Sequence, residues 1–371
     1  MNRAPESRFF FATDLSTLAR KLTDQIAKDK KRDPLQPRRI IVPNRNVARW
    51  LEMRLADWSG VCGNVDFQFL EPGIGNRIEE ITGKKRALAS REDLTLGILE
   101  CFFEGQVSGA LARYIESRNS TDLYHLAAKL ASLFQDYEYH RAEWADRWQK
   151  GDFAAPAGAH DQAELYFNVM RRMNARGLSN LRGFASFIQE GNAQSEPLIL
   201  FGVSQISKLH VDILFQLSQL LPLEYYMLDF LQPQKQKWYP CNGLFDEPVG
   251  PVRSWLSVQS QQIKILLEQK KENHAWQASL SVSEEASILS TLQRVFTGVP
   301  FQKGKEAHAA NASRATDSSV VIVGCPGVVR EAETILFDIV DRMKEDPTLQ
   351  LTDIAILVPD MKKYRPALEA V

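Results

Sequence analysis

The chain has 371 residues and a net charge of -1, with 44% hydrophobic and 25% charged residues. That is room for two or three soluble domains of about 100 to 200 residues each, and it excludes a polycation, so an anionic partner has to be held by a local patch. No apolar run approaches the roughly 18 residues of a membrane span, the aromatic run at residues 9–11 is too short for a signal-peptide core, and a cytoplasmic location is expected.

Residues 8–13, RFFFAT, form the first expected strand, and the Asp14–Thr17 caps open a helix with Leu18, Leu22 and Ile26 on one face. A polar stretch leads to a strand at 39–42 and a helix at 46–58. Such alternation with continuous apolar strands points to a parallel α/β sheet. From 76 to 192 the composition turns helical, with long helices over 122–148 and 160–177, and residues 197–230 then return to strand, helix, strand. Further on, helices are expected at 252–270 and 283–296 and a polar linker at 303–319. A strand at 319–325, a helix at 330–346 and a strand at 354–358 follow, and the sequence stops inside one more helix, as a fragment of a longer protein would.

Two lobes of this kind suggest a nucleotide-driven motor, which needs GxxxxGK[ST] after its first strand. The sequence there is DLSTLARKL, without glycine and with Lys21 well inside the helix. A motor also ends a strand on an acid that holds Mg²⁺, whereas the matching strand ends Phe201-Gly202-Val203-Ser204. GKKR at 83–86 follows no strand. No ATP hydrolysis and no cofactor are expected. Cys62, Cys101, Cys241 and Cys325 are single and far apart, so they are expected as buried thiols and no metal site is expected. The histidines are scattered, His140 beside Glu138 and Arg141 fits a packed or surface helix, and no catalytic constellation is visible.

Binding is better marked. Residues 28–54 hold nine Lys/Arg against three acids. Arg45 and Arg49 share a face at a helix start, where Asn44, Asn46 and the open N–H groups favour an anion. Arginine, amide and the adjacent Trp50 suit a nucleic-acid backbone with base stacking, although Trp50 is in phase with core positions. A second stripe, 132–148, repeats Leu133, Tyr137, Trp144 and Trp148 at core spacing, with Gln135 and Arg141 off that line. The unit Val42-Pro43-Asn44 before a helix recurs as Val358-Pro359-Asp360.

IIVPNRNVARWLEMRLADWSGVCGNVDF, LAAKLASLFQDYEYHRAEWADRWQKG, PLILFGVSQISKLHVDILFQL, GPVRSWLSVQSQQIKILLEQ and, above all, CPGVVREAETILFDIVDRMKEDPTLQLTDIAILVPDMKKYRPALEAV resemble, in order, the RecC-type gamma chain of exodeoxyribonuclease V. The resemblance implies an α/β, superfamily 1 helicase-like fold: a first RecA-like lobe at 1–75 plus 193–235, a helical insertion at 76–192, a helical connection at 236–317 and the start of a second RecA-like lobe at 318–371. It implies a scaffold with no activity of its own, associated with a RecB-type helicase-nuclease and a RecD-type helicase, that splits duplex DNA and scans the 3′-ended strand. The two Val-Pro-Asx units then correspond as strand-to-helix turns of the two lobes. By the same resemblance the positions that contact DNA are Pro43, Arg45 and Arg49 in the turn, with Leu133, Gln135 and Arg141 in the helix, and the helix-start reading adds Asn44 and Asn46 to the expected DNA-binding residues. Leu133 and Arg141 keep the family's residue; Pro43, Arg45 and Arg49 depart from its uncharged choices, which favours backbone over base contact. Three other readings remain: an AddB-type helicase-nuclease subunit, an autonomous DNA-stimulated ATPase, and an adaptor without DNA contact.

Overall fold

The structure is a computed structural model that describes residues 5–29, 33, 35–85, 87–154, 156, 158–204, 206–229, 275–277, 287–297 and 317–371. The helix expected at 252–270, most of the 236–317 connection, the linker up to 316, and Lys30, Lys31, Arg32, Arg86 and Cys241 lie outside the described residues. The chain divides into two compact units, Met1–Ser283 with Gln293–Pro300, and Glu284–Leu292 with Phe301–Val371. No helix among the described residues is long and apolar enough to cross a membrane.

The first unit opens with β1 (Arg8–Ala12), α1 (Leu15–Lys28), β2 (Arg38–Ile41), α2 (Arg45–Ser59), β3 (Val65–Gln68) and α3 (Leu70–Thr82). Asp14 starts α1 by accepting the Thr17 N–H at 2.7 Å, and Asn44 starts α2 by accepting the Val47 N–H at 3.0 Å. A helical stretch follows: α4 (Arg91–Phe103), α5 (Gly109–Ile115), α6 (Ser120–His140), α7 (Ala142–Gln149) and α8 (His160–Ala175), bracketed by the two-residue strands β4 (Ala87–Leu88) and β5 (Leu178–Ser179), which pair with each other. Then come α9 (Leu181–Ala185), a 3₁₀ turn, β6 (Leu198–Phe201), α10 (Lys208–Leu217), β7 (Leu223–Leu228) and β8 (Ala275–Gln277).

The six-stranded sheet has the order β3-β2-β6-β7-β1-β8, and all of its described ladders are parallel. A parallel sheet needs cover on both faces, and residue alternation along each strand provides it. Phe10, Ala12, Ile40 and Tyr226 face α1 and α2. Phe9, Phe11, Ile41 and Tyr225 face α3, α9 and α10. Between α3 and α9, the helices α4, α6, α7 and α8 bury a separate core around Phe134, Trp148 and Tyr166.

The helix expected over 122–148 breaks at Arg141, whose backbone (φ -135°, ψ 49°) ends α6 and opens α7. The thiol expectation also needs correcting: Cys101 is buried, but Cys62 and Cys325 are only partly so.

In the second unit, α12 (Val328–Glu345) packs on α13 (Met361–Ala370) across the buried Ala332 and Ala367, and the Tyr364 hydroxyl donates to Glu331 at 3.0 Å. The helix expected at 283–296 is described from Ile288 to Thr297 and is numbered α11. The strands expected at 319–325 and 354–358 are not formed, since neither segment belongs to a ladder. An apolar run becomes a strand only when an edge pairs with it, and here Ile322 and Leu357 stay 94% and 93% exposed.

Candidate nucleic-acid interface

The ends of parallel strands are where α/β sheets place their binding crevices. Here β6 runs out into Gly202, whose φ of +68° only glycine adopts without strain. A Cβ built on Gly202 would lie 3.5 Å from Leu15 Cδ2, 3.8 Å from Val47 Cγ1 and 4.0 Å from Pro43 Cδ. Apolar groups from the first turns of α1 and α2 and from the Pro43 turn therefore pack over Gly202. At the start of α1 the Asp14 carboxylate takes both the Thr17 N–H and, at 2.8 Å, the Thr17 hydroxyl. A carboxylate already fills the place where a helix N-terminus would receive phosphate. Lys21 lies 5.7 Å from the centroid of Phe10 on the strand side of α1.

The neighbouring helix start is different. Val42 extends the β2 ladder by donating to the Gln68 carbonyl at 2.8 Å, and Pro43 turns the chain out to solvent. Asn44, Arg45, Asn46 and Arg49 are all exposed. The described arginines of the stretch divide sharply. Arg38 pairs with Asp29 at 3.1 Å, Arg39 with Glu80, and Arg54 with Asp57 at 3.4 Å. Arg45 and Arg49 make no ion pair or hydrogen bond among the described residues. Asn44 spends its side-chain oxygen on the cap. Trp50 stacks 6.4 Å from Phe201 and packs on the sheet, as its spacing predicts for a core residue.

The second group lies in another layer. Leu133 packs against the helical core, Gln135 is half-buried, and Arg141 is exposed at the junction of α6 and α7. The Arg141 guanidinium donates to the His140 carbonyl at 3.2 Å and lies over Trp144 at 5.4 Å. α6 packs against α10, on the face of the sheet opposite α2. Among the described residues no hydrogen bond or ring contact joins this group to Arg45 and Arg49.

Two functional-looking features escape the sequence reading. Glu138 is 4% exposed and accepts hydrogen bonds from Tyr166 at 2.9 Å and Asn180 at 2.7 Å. Burial pushes its carboxyl up to about 7. A signal was present, because Glu138 follows Phe134 by four residues on the buried stripe of α6. Beside it, Tyr139 donates to Glu71 and stacks 5.5 Å from His210, and burial holds His210 down to about 4. This cluster fastens α6 to α3 and α10. No group of three His, Cys, Asp or Glu that could hold a metal occurs among the described residues.

The fold and the site define a mixed α/β protein built on a parallel six-stranded sheet, with a helix start that carries two exposed arginines without a partner among the described residues. The family of the RecC N-terminal domain matches residues 8–294, and the chain belongs to that family. Its relatives include the RecBCD enzyme subunit RecC of Escherichia coli, 22% identical over 98% of this chain and 38% of that protein. The subunit of the same name from Haemophilus influenzae is 19% identical over 91% of this chain and 37% of the relative. That of Mycobacterium tuberculosis is 23% identical over 92% and 33%. The chain thus spans between a third and two-fifths of the length of these relatives.

Proposed function

We propose that this chain serves as the DNA-gripping, non-catalytic portion of a RecC-type subunit in a RecBCD-type exodeoxyribonuclease V, acting in recombinational repair with RecB- and RecD-type partners. The family and the curated relatives support the assembly. The fold supports reading the first unit as a RecA-like, superfamily 1 lobe and the second as the start of another. The observation that carries DNA contact is the pair Arg45 and Arg49, exposed and unpaired on the first two turns of α2 while the described arginines around them are neutralised. An arginine without a protein partner is available to phosphate, and phosphate contact needs no base information. Gln135 and Arg141 form a second contact for the scanned strand, in another layer of the same unit.

The test is a titration with a forked duplex bearing a 3′ single-stranded tail, across a salt series, for this chain and for the Arg45→Ala/Arg49→Ala variant. Backbone contact makes log K fall linearly with log salt, and the variant's slope is expected to be shallower by about one to two. Identical slopes for the two proteins would remove DNA contact at this turn.

A further inference from the structure

Three helices from distant parts of the chain converge on one carboxylate. Glu71 lies at the start of α3, Tyr139 at the end of α6 and His210 in the first turn of α10. α10 packs against α6. Tyr139 joins the apolar core on the α3 and α10 face of the sheet, whereas Phe134 and Tyr137 of the same helix belong to the separate helical core. The Tyr139 hydroxyl donates to Glu71 Oε1. Its ring stacks on the His210 imidazole, with 5.5 Å between centroids and 25° between planes. The other ring nitrogen of His210 fixes where its proton sits. Nδ1 accepts the Ser207 N–H at 3.2 Å, so the neutral ring carries its proton on Nε2. That Nε2–H is buried and has no hydrogen-bond partner among the described residues. The carboxylate oxygen it faces is Glu71 Oε1, 3.9 Å away, which is the oxygen that Tyr139 already occupies. A buried donor without an acceptor costs free energy, and here it faces an acceptor that is in use.

We propose that Glu71 is an acceptor shared by two donors, Tyr139 and His210, so that the seam between the helical block and the sheet has two hydrogen-bonded states. In the closed state, the one described above, Tyr139 holds Glu71 and the His210 Nε2–H is bare. In the open state the end of α6 draws Tyr139 away into water, and His210 closes the remaining gap and donates to Glu71. Parting the seam therefore exchanges one hydrogen bond for another instead of leaving the carboxylate unpaired. The hinge is the break at Arg141, two residues beyond Tyr139, since a helix terminus can absorb the backbone change. The other charged groups near the seam are occupied or solvated. Glu138 of α6 accepts from Tyr166 and Asn180, Arg182 of α9 pairs with Asp146 of α7, and Asp136 of α6 is exposed. On α10 itself the charged neighbours of His210 are Lys208 and Asp212. Gln135 and Arg141 lie on the same helix end, so opening displaces both. The inference stands on the contacts of the seam and is independent of DNA contact at any residue.

Nuclear magnetic resonance of the chain, isotope-labelled only at its six histidines, reads the exchange, with His210 assigned from the spectrum of His210→Gln. In the near-isosteric Tyr139→Phe variant Glu71 loses its present donor. His210 is then expected to titrate about one pH unit or more above its wild-type value, because its imidazolium gains the released carboxylate. Adding Glu71→Gln to Tyr139→Phe should bring the titration back down. An unchanged His210 titration in Tyr139→Phe overturns the proposal. So does a rise that survives Glu71→Gln, since it would then come from water entering the seam. Urea midpoints give a second reading. Tyr139→Phe should lower the midpoint roughly twofold more in a His210→Phe background than in the wild type, where His210 stands in as donor. Equal losses in the two backgrounds also overturn it. The salt titration above succeeds or fails regardless of this outcome, so the two readings are separable.

Discussion

At the scale of single residues, Glu138 and His210 oppose each other. The Glu138 carboxyl is held up to about 7 from an ordinary 4.5, chiefly by burial, with the Asn180 and Tyr166 hydrogen bonds and Arg182 pulling the other way and Glu71 adding to the rise. The folded state keeps that proton longer than the unfolded one. Its contribution to stability is therefore complete below pH 4.5 and is lost as pH rises through about 7. His210, lowered from 6.5 to about 4 by burial, accepts the Ser207 N–H at Nδ1 and is neutral when folded. Its contribution is complete above pH 6.5 and is lost as pH falls through about 4. Between pH 4.5 and 6.5 the two slopes cancel. Glu138→Gln, whose oxygen still accepts from Tyr166 and Asn180, should uncover a stability that rises with pH across that window. His210→Gln should uncover one that falls. Each slope should approach 1.4 kcal/mol per pH unit, roughly one proton's worth. Urea midpoints at three pH values decide it, and parallel curves for all three proteins would mean that neither group is perturbed as described. Asn44 gives a simpler case: Asn44→Ala removes the cap on α2 and should cost about 1 kcal/mol by chemical denaturation, with Asn44→Asp close to wild type.

At the scale of elements, local chemistry separates what the sequence shows from what it hides. α1 and α2 are legible because Asp14 and Asn44 cap through neighbours three residues away, and because Leu18, Leu22, Leu51 and Leu55 repeat at helical spacing. β3 is not, since Val65-Asp66-Phe67-Gln68 is strand only by virtue of pairing with β2. The segments at 319–325 and 354–358 carry the strand pattern and lack the partner, so the sequence reading is locally apt and fails on a non-local condition. The break at Arg141 is hidden as well, because the apolar spacing runs on through Trp144 and Trp148. Helix packing shows the same dependence on context. A Cβ at Gly73 of α3 would sit 2.7 Å from Ile41 Cγ1 and 3.3 Å from Gln68 Cβ, side chains held on β2 and β3, whereas at Gly97 of α4 it would meet chiefly the end of Met173, 2.7 Å away. Gly73→Ala should therefore destabilise by about 1–3 kcal/mol through overpacking. Gly97→Ala should be neutral or gain up to about 1 kcal/mol from helix propensity, because methionine can move aside. Equal losses in thermal unfolding would contradict this distinction.

For the whole molecule, the parallel sheet and the chemistry at the end of β6 together bear on nucleotide binding. The described ladders of the six-stranded sheet are all parallel, and a helical block separates β3 from β6. Gly202 is flanked by Leu15, Val47 and Pro43, and the Asp14 carboxylate holds the first turn of α1. Phosphate approaching there would meet like charge and hydrocarbon instead of open N–H groups. The absence of a glycine loop is legible in DLSTLARKL, but the hydrocarbon packed over Gly202 is not, because Val47 and Pro43 come from a different strand-to-helix turn. The consequence can be measured in the intact chain. A ligand at a hundred times its Kd stabilises the folded state by about 2.7 kcal/mol, enough to move a melting curve visibly. Millimolar ATP with Mg²⁺ should leave the melting temperature of this chain unchanged, and Asp14→Ser should not restore a shift, since the hydrocarbon remains. A nucleotide-dependent rise in the wild-type chain would show that phosphate binds somewhere in this fold and that the lobe is more than a grip. Stability unchanged by nucleotide, combined with salt-dependent DNA affinity through Arg45 and Arg49, would favour a fold that holds DNA without binding nucleotide.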